Sequence, residues 1–388
     1  MASFKISAPG RIVLSGEHSV SYGKNFVTAS LDLRTNLEFC ELPVLGLIKI
    51  DFPRVHLQKS ILHRIVADYF SDEKVSKIRL QRSNLPRYVN QFIDMNHLCD
   101  TREQRFSLQM FFYLFCMIKN LAIKPFYLRV FTNLPSSPGL GSSTSFAVCL
   151  AACFLHWKRL QKGGGQSNEF NKDEIRIIKT YARSCEEIIQ QNTFAFLDVE
   201  ICVRGGIQKL RHHSYIQYSR NTIDFVSGLK LLLIDSTVRQ KREERAQQMV
   251  DLRCRNLHGF FSLLDVLDVF ARNIWYKLKL LKSKKYNNPV DSSPRQDLYC
   301  QIENEIRRNQ LLLKYNNLSD PKVDEVCSFA KNFKLNGKLT GFQGGYVYIL
   351  LPPMLTDEKI EYIKAQFLEQ YPNCVSTTFD YDGVRIDQ

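Results

Sequence analysis

The stretch NLPSSPGLGSSTSFAVCLAACFLHW, residues 133–157, constrains the fold of this chain more than any other. A turn crowded with Pro, Gly and Ser runs directly into small and apolar residues that read as a buried helix from about Ser143 to Leu160. A helix start leaves backbone N–H groups without partners and carries positive dipole charge, so such a turn can hold an anion, most often phosphate. Gly139 and Gly141 let the backbone come close to a ligand, and Ser142, Ser143 and Thr144 add hydroxyls at the helix start. Taken alone, the same pattern fits an N-capped loop ahead of a core helix. The lysine of G-x-x-x-x-G-K-[ST] is absent here and elsewhere in the chain, so a nucleotide would need a different architecture.

With 388 residues the chain has room for two domains, and 44% hydrophobic with 24% charged residues is the composition of a folded protein. RIVLSGEH, LGLIKIDF and FYLRVFTNL read as strands, and KDEIRIIKTYARSCEEIIQQ as a helix capped by Asn171 or Asp173. GGIQKLRHHSYIQY reads as a glycine-led strand or hairpin. A second unit starts at GLKLLLIDST, with long helical stretches over roughly 240–283 and 297–316 and a glycine-rich turn entering a strand at GKLTGFQGGYVYILLPP. The order predicts α+β with a boundary near residue 225, giving units 1–225 and 226–388.

The net charge of +14 raises nucleic acid as a partner. The basic residues are dispersed, however, and VRQKREERAQQMVDLRCR interleaves its cations with acids as a solvated helix face does, so the expectation is no nucleic acid. Small phosphorylated ligands explain the balance more economically. Eleven scattered cysteines form no C-x-x-C pair, and Cys149 and Cys153, one helical turn apart, lack further ligands; reduced core thiols in the cytosol are expected. The longest apolar stretch, residues 106–118, is shorter than the roughly 20 residues of a membrane span, so no membrane partner is expected. The opening MASFKISAPGRIVLSGEHS resembles neither a secretory signal nor a transit peptide, which points to a cytoplasmic protein.

Two further stretches change the weight of the loop: SAPGRIVLSGEHSVSYGK (7–24) leading to SLDLRT (30–35), and GKLTGFQGGYVYIL (337–350). With the central PSSPGLGSS, this order resembles the three motifs of the GHMP kinase family, and most closely its mevalonate-phosphorylating branch. The resemblance implies a two-domain GHMP kinase fold, with a ribosomal-protein-S5-like N-terminal domain and a ferredoxin-like C-terminal one. It also implies ATP- and Mg2+-dependent phosphorylation of (R)-mevalonate to 5-phosphomevalonate. ATP would lie on Pro138, Gly139, Leu140, Gly141, Ser142, Ser143 and Thr144, and mevalonate on Glu17, His18, Thr340 and Gly341. Asp198, seven residues before Gly205, would take the proton of the attacking hydroxyl, with Arg11 beside it where the family commonly has lysine. Ser143 and Glu187, eleven residues before Asp198, would ligate the metal. Homodimers and feedback inhibition by prenyl diphosphates are further implications of the resemblance.

The chain departs from the family pattern in two places. N-P-S-G-x-D is here NTFAFLD, with Ala195 for the serine and Phe196 for the glycine. G-A-G-G-G-G is GFQGGY, with Phe342 and Gln343 in place of small residues. An active kinase with a remodelled pocket, a family kinase of another small alcohol, and a ligand-binding pseudokinase all fit these changes. Retention of Ser143, Glu187 and Asp198 together favours activity.

Overall fold

The computed structural model describes residues 1–80, 84–135, 139–164, 167–213, 218–226, 228–283 and 293–387. Its first half contains β1 (Ser3–Ser15), β2 (Asn25–Glu41), β3 (Leu47–Phe52), β4 (Leu57–Leu62), α1 (His63–Tyr69), α2 (Asp72–Leu80), α3 (Leu85–Met95), α4 (Arg102–Met117), β5 (Phe126–Thr132), α5 (Ser142–Gln161), α6 (Lys172–Ile189), α7 (Ala195–Arg204), β6 (Ile207–His212) and β7 (Tyr218–Ile223). The second contains β8 (Lys230–Asp235), α8 (Arg242–Arg255), α9 (Leu257–Leu281), α10 (Ser293–Tyr315), α11 (Pro321–Ala330), β9 (Gly337–Thr340), β10 (Tyr346–Leu351), α12 (Asp357–Leu368), β11 (Cys374–Asp380) and β12 (Arg385–Asp387).

A long antiparallel hairpin of β1 and β2 organises the sheet, running from Ser3 opposite Cys40 to Ser15 opposite Val27. Its register shifts between Pro9 and Gly10, where proline has no N–H to give the ladder, and the irregularity falls immediately before Arg11. β5 and β6 pair with β2, and β3 runs parallel to β5. β11 pairs with β2 at one end and with β8 along the rest, so the sheet continues into the β8, β10 and β9 strands. β12 returns to β1.

Helix α5 packs against β1, β2, α4, α6 and α7. It can do so because Ala147, Val148, Cys149, Ala151, Ala152 and Cys153 are all fully buried on its several faces. Their small size allows a close approach to β2: the Thr35 and Ser145 hydroxyls lie 2.6 Å apart, and the Cys149 thiol donates to the Thr35 carbonyl at 3.2 Å. Asn171 caps α6 in a full capping box, accepting from the Asp173 and Glu174 amides at 2.9 Å while Glu174 accepts from its own. The helix expected over 240–283 is two. Asn256 is extended at φ −152°, and its side chain accepts the Gly259 N–H at 2.8 Å to start α9, an alternative hydrogen bond that competes with continuing α8.

Arg34 of SLDLRT is structural. Its guanidinium donates to the Ser7 hydroxyl at 2.9 Å, the Gly383 carbonyl at 2.7 Å and the Asp380 carboxylate, clasping β1, β2 and the C-terminal segment.

Candidate active site

Four chain segments meet where β1 passes the start of α5. The Arg11 N–H bonds to the Leu140 carbonyl at 2.9 Å, and Arg11 Nη1 donates to the Gly139 carbonyl at 2.8 Å, so the β1 backbone and side chain hold the loop ahead of α5. Glycine is required at 141: φ is +74°, and a Cβ there would sit 2.7 Å from the Arg11 Cγ. Arg11 Nε donates to Asp198 Oδ1 at 2.7 Å, with both residues buried. Asp198 stands in the first turn of α7, where the helix dipole favours an anion. Burial pushes its carboxyl up, but the Arg11 charge and hydrogen bond, with Arg242 and Asn192, outweigh that and hold it below the ordinary carboxylate value.

Asn192 couples two acids. Its Nδ2 lies 3.1 Å from Asp198 Oδ2 and 3.0 Å from Glu186 Oε2, which also accepts the Thr144 hydroxyl at 3.1 Å. Glu186 is 1% exposed, and its Oε1 has no hydrogen-bond partner among the described residues. Burial raises its proton affinity and the nearby Asp198 charge adds to that, against the bonds from Asn192, Thr144 and Ser143. Glu187 does not reach this centre. It faces outward from α6, where Arg183 Nε donates to its Oε1 at 2.6 Å. Consecutive helical residues differ by about 100° in direction, so only one of the two can point at Asp198.

A cavity of about 390 Å³ opens onto this cluster, lined by Arg11, Glu17, Gly139, Gly141, Ser142, Ser143, Thr144, Asp198 and Gly341, and also by Arg54, Arg242, Phe342 and Gln343. On one side Arg54, Ser142, Ser143 and Gln190 also border a cleft of about 370 Å³ walled by Phe52, Val55, Phe106, Met110, Phe131 and Phe146. On the other, Gln190, Phe194, Arg242, Phe342 and Gln343 also border a groove of about 520 Å³ that reaches His18. Gln190 lines all three, so they adjoin, with the Asp198 compartment bordering both of the others.

The family description "GHMP kinases N terminal domain" matches residues 110–206. The chain is 26% identical over 399 residues to the mevalonate kinase of Homo sapiens, covering 98% of this chain and 94% of that protein. It superposes on the crystal structure of the Methanococcus jannaschii mevalonate kinase with a TM-score of 0.68 at 17% identity, covering 98% and 99% of the two chains. The TM-score is 0.64, at 14% identity and 98% and 96% coverage, against the L. major mevalonate kinase solved with R-mevalonate. Residues 110–206 thus match the N-terminal domain of the GHMP kinases, and the chain is similar to mevalonate kinases over nearly its whole length. Its mixed fold with a curled sheet is the two-domain architecture of those kinases.

The site residues expected from sequence fall into distinct groups. Arg11, Asp198, Gly139, Gly141, Ser142, Ser143, Thr144, Glu17 and Gly341 line the central compartment. Leu140 takes part through its backbone carbonyl, with its side chain in the core; Pro138 lies outside the described residues. His18 faces the neighbouring groove, where its ring sits 5.6 Å from that of Phe342 and neither ring nitrogen has a hydrogen-bond partner among the described residues. Burial, with Arg245 and Lys338 nearby, holds the imidazole neutral, well below its ordinary value. Thr340 is fully buried and absent from the lining of the cavity, with its hydroxyl bonded to the Val13 N–H at 2.9 Å and the Val13 carbonyl at 3.0 Å.

The glutamate of α6 that faces Asp198 is Glu186, and not Glu187 as the sequence count had it. NTFAFLD is one residue longer than N-P-S-G-x-D, and that extra residue displaces any count made backwards from Asp198. The hydroxyl lost at Ala195 is replaced by the Asn192 amide on Asp198. Phe196 points away from the site, its ring packing with His212 and Tyr218. Asn192, Arg54 and Arg242 are contributions that sequence reasoning missed. In KREER, taken for a solvated face, Arg242, Arg245 and Met249 share the helix side turned inward, a three-and-four spacing visible in the sequence.

Glu17 pairs with Lys338, the lysine of the C-terminal motif, in an ion pair that is almost wholly buried. Lys338→Met is expected to destabilise the protein by about 3–5 kcal/mol, because it leaves a buried carboxylate without its cation. Adding Glu17→Gln should restore much of the loss; denaturant midpoints of the single and double variants measure both.

Proposed function

We propose that this kinase transfers the γ-phosphoryl group of ATP to the primary hydroxyl of mevalonate, giving 5-phosphomevalonate. The observation that carries this is the Arg11–Asp198–Asn192–Glu186 cluster at the mouth of the glycine loop, in a chain whose mevalonate kinase relative covers nearly its whole length. The adenosine fits the apolar cleft beside Arg54, and the phosphates fit the loop, where the first N–H groups of α5 have no intrahelical partner. The alcohol then lies between Asp198 and the His18 groove.

Asp198 accepts the hydroxyl proton as the oxygen bonds to phosphorus and the bond to ADP breaks. A carboxylate held below its ordinary value is a weak base, which suits a loose phosphoryl transfer in which the proton moves late. Arg11 keeps Asp198 ionised and faces the transferring group; as a guanidinium it shuttles no proton. Ser143 and Glu186, with its partnerless Oε1, fit Mg2+, which prefers a few protein oxygens along with phosphates and water. When bound, Mg2+ neutralises phosphate charge. Feedback inhibition by prenyl diphosphates and a homodimeric assembly belong to the same reading and rest on the family resemblance. The eleven free thiols support a reducing compartment such as the cytoplasm.

Release of ADP with a panel of mevalonate, phosphomevalonate, homoserine and galactose tests the proposal: turnover dependent on mevalonate is expected, and preference for another alcohol overturns it. Because the Asp198 carboxyl lies below the usual value, it stays ionised through neutral pH and its stabilising contribution is lost only as pH falls through that lowered value. The rate kcat is therefore expected to show no acid limb from Asp198 above about pH 5, which a pH–rate profile checks.

A further inference from the structure

We propose that Phe342, closed against Phe194, forms the far wall of the acceptor compartment and limits the size of the alcohol that this kinase phosphorylates. The inference deepens the function reading above and rests on it.

The two rings come from the two places where the chain departs from the family pattern, Phe194 from NTFAFLD and Phe342 from GFQGGY. In the fold these departures meet. The ring centroids are 5.7 Å apart with the planes tilted by 54°, a separation at which aromatic rings touch. Both residues line the Asp198 compartment and both line the groove of about 520 Å³ beside it, so the pair stands on the boundary between the two. His18 marks the far side of that boundary. Its ring lies 5.6 Å from that of Phe342 and borders the groove, and it is absent from the lining of the Asp198 compartment although its neighbour Glu17 is present there. Phe342 thus screens the imidazole from the reacting centre.

Each ring is backed by core. Phe194 packs on the apolar cluster that includes Val20, Phe26 and Leu197, and Phe342 on the cluster that includes Leu232, Met249 and Val347. The loop carrying Phe342 is tied to the segment entering α8: Gln343 Nε2 donates to the Gln240 carbonyl at 2.9 Å, and the Ser236 N–H donates to the Gly345 carbonyl at 3.1 Å. A wall held in this way resists displacement, because forcing extra carbon into a packed site moves side chains and backbone together. The apolar cleft that suits adenosine lies on the opposite side of the Asp198 compartment, so an acceptor whose hydroxyl reaches Asp198 has its carbon skeleton against the ring pair. With a small residue at 342, as in the family pattern, compartment and groove would be continuous. The aromatic pair closes that space and leaves room for a short acceptor only.

Steady-state kinetics of the wild type, Phe342→Ala, Phe342→Leu and Phe196→Ala test this with mevalonate and with its homologues carrying ethyl or propyl in place of the methyl group. The wild type should lose roughly 10-fold or more in kcat/KM for each added methylene. Phe342→Ala should cut the preference for mevalonate over the propyl homologue by about 10- to 100-fold, with the KM for ATP unchanged. Phe342→Leu, which keeps apolar bulk at the site, should fall in between. Phe196→Ala removes a ring that packs away from the cavity and should keep the size order of the wild type. A wild type indifferent to acceptor size, or a Phe342→Ala that loses activity on all three acceptors in equal proportion, would overturn the proposal and leave Phe342 as a support of the loop alone. A wild type that phosphorylates another alcohol and ignores mevalonate would overturn the function reading instead; a size series built on that alcohol, read as kcat/KM or as dissociation constants, would still judge the wall.

Discussion

Asp198→Asn lowers kcat by about 10³- to 10⁴-fold, the size of effect expected when a positioned base is removed, while ATP still binds. Asparagine keeps the shape and offers Arg11 Nε an oxygen in place of the one at 2.7 Å, so the guanidinium retains a hydrogen bond. The Arg11 charge still loses its carboxylate and the Asn192 amide its acceptor, so a loss of stability of up to about 3–5 kcal/mol accompanies the change. Single-turnover rates read the chemical step, nucleotide titration reads binding, and a thermal melt shows that the variant is folded. A rate within about 10-fold of wild type would remove Asp198 from the chemistry.

The second large effect separates two adjacent glutamates. Glu186→Gln is expected to lower kcat/KM by about 10²- to 10³-fold, as for loss of a charge that stabilises the transition state, and to raise the Mg2+ concentration needed for half-maximal rate. Glu187→Gln should change the rate by less than about 2-fold. Its partner Arg183 lies on the outer side of α6, and exposed pairs of that kind contribute about 0–1 kcal/mol. The physical difference is environment: Glu186 is 1% exposed, with one oxygen beside Asp198 that has no hydrogen-bond partner among the described residues, and Glu187 is half-buried with its charge already met. Activity lost at Glu187 and kept at Glu186 would reverse the assignment.

The parts of the site carried by backbone geometry were legible in the sequence. Gly139, Gly141 and the hydroxyls after them announce a turn feeding a helix, and small residues such as Ala147 and Ala151 announce that the helix is buried. Motif order placed Arg11 and Asp198 in one cleft although they are 187 residues apart in the chain. Side-chain direction was less legible. Glu186 and Glu187 are chemically identical neighbours, and only the extra residue in NTFAFLD, which shifts the count from Asp198, distinguishes them. Thr340 sits at the right place in the right motif, yet β9 packs beside β1 and its hydroxyl is satisfied by Val13. Arg242 was hidden for the opposite reason: charged residues surround it, and their density masked the face shared with Arg245 and Met249. Phe196 and Phe342 look like equivalent intrusions in the sequence. In the fold the first packs away from the cavity and the second lines it.

The central claim, that these four segments form one centre for phosphoryl transfer to mevalonate, is tested most directly by phosphorus NMR of the purified chain with ATP, Mg2+ and (R)-mevalonate. The expected result is loss of the γ-phosphate signal with matched growth of ADP and of a phosphomonoester split by the two protons of a primary carbon, seen only when mevalonate is present. An unchanged ATP spectrum, or inorganic phosphate in place of the ester, would contradict it.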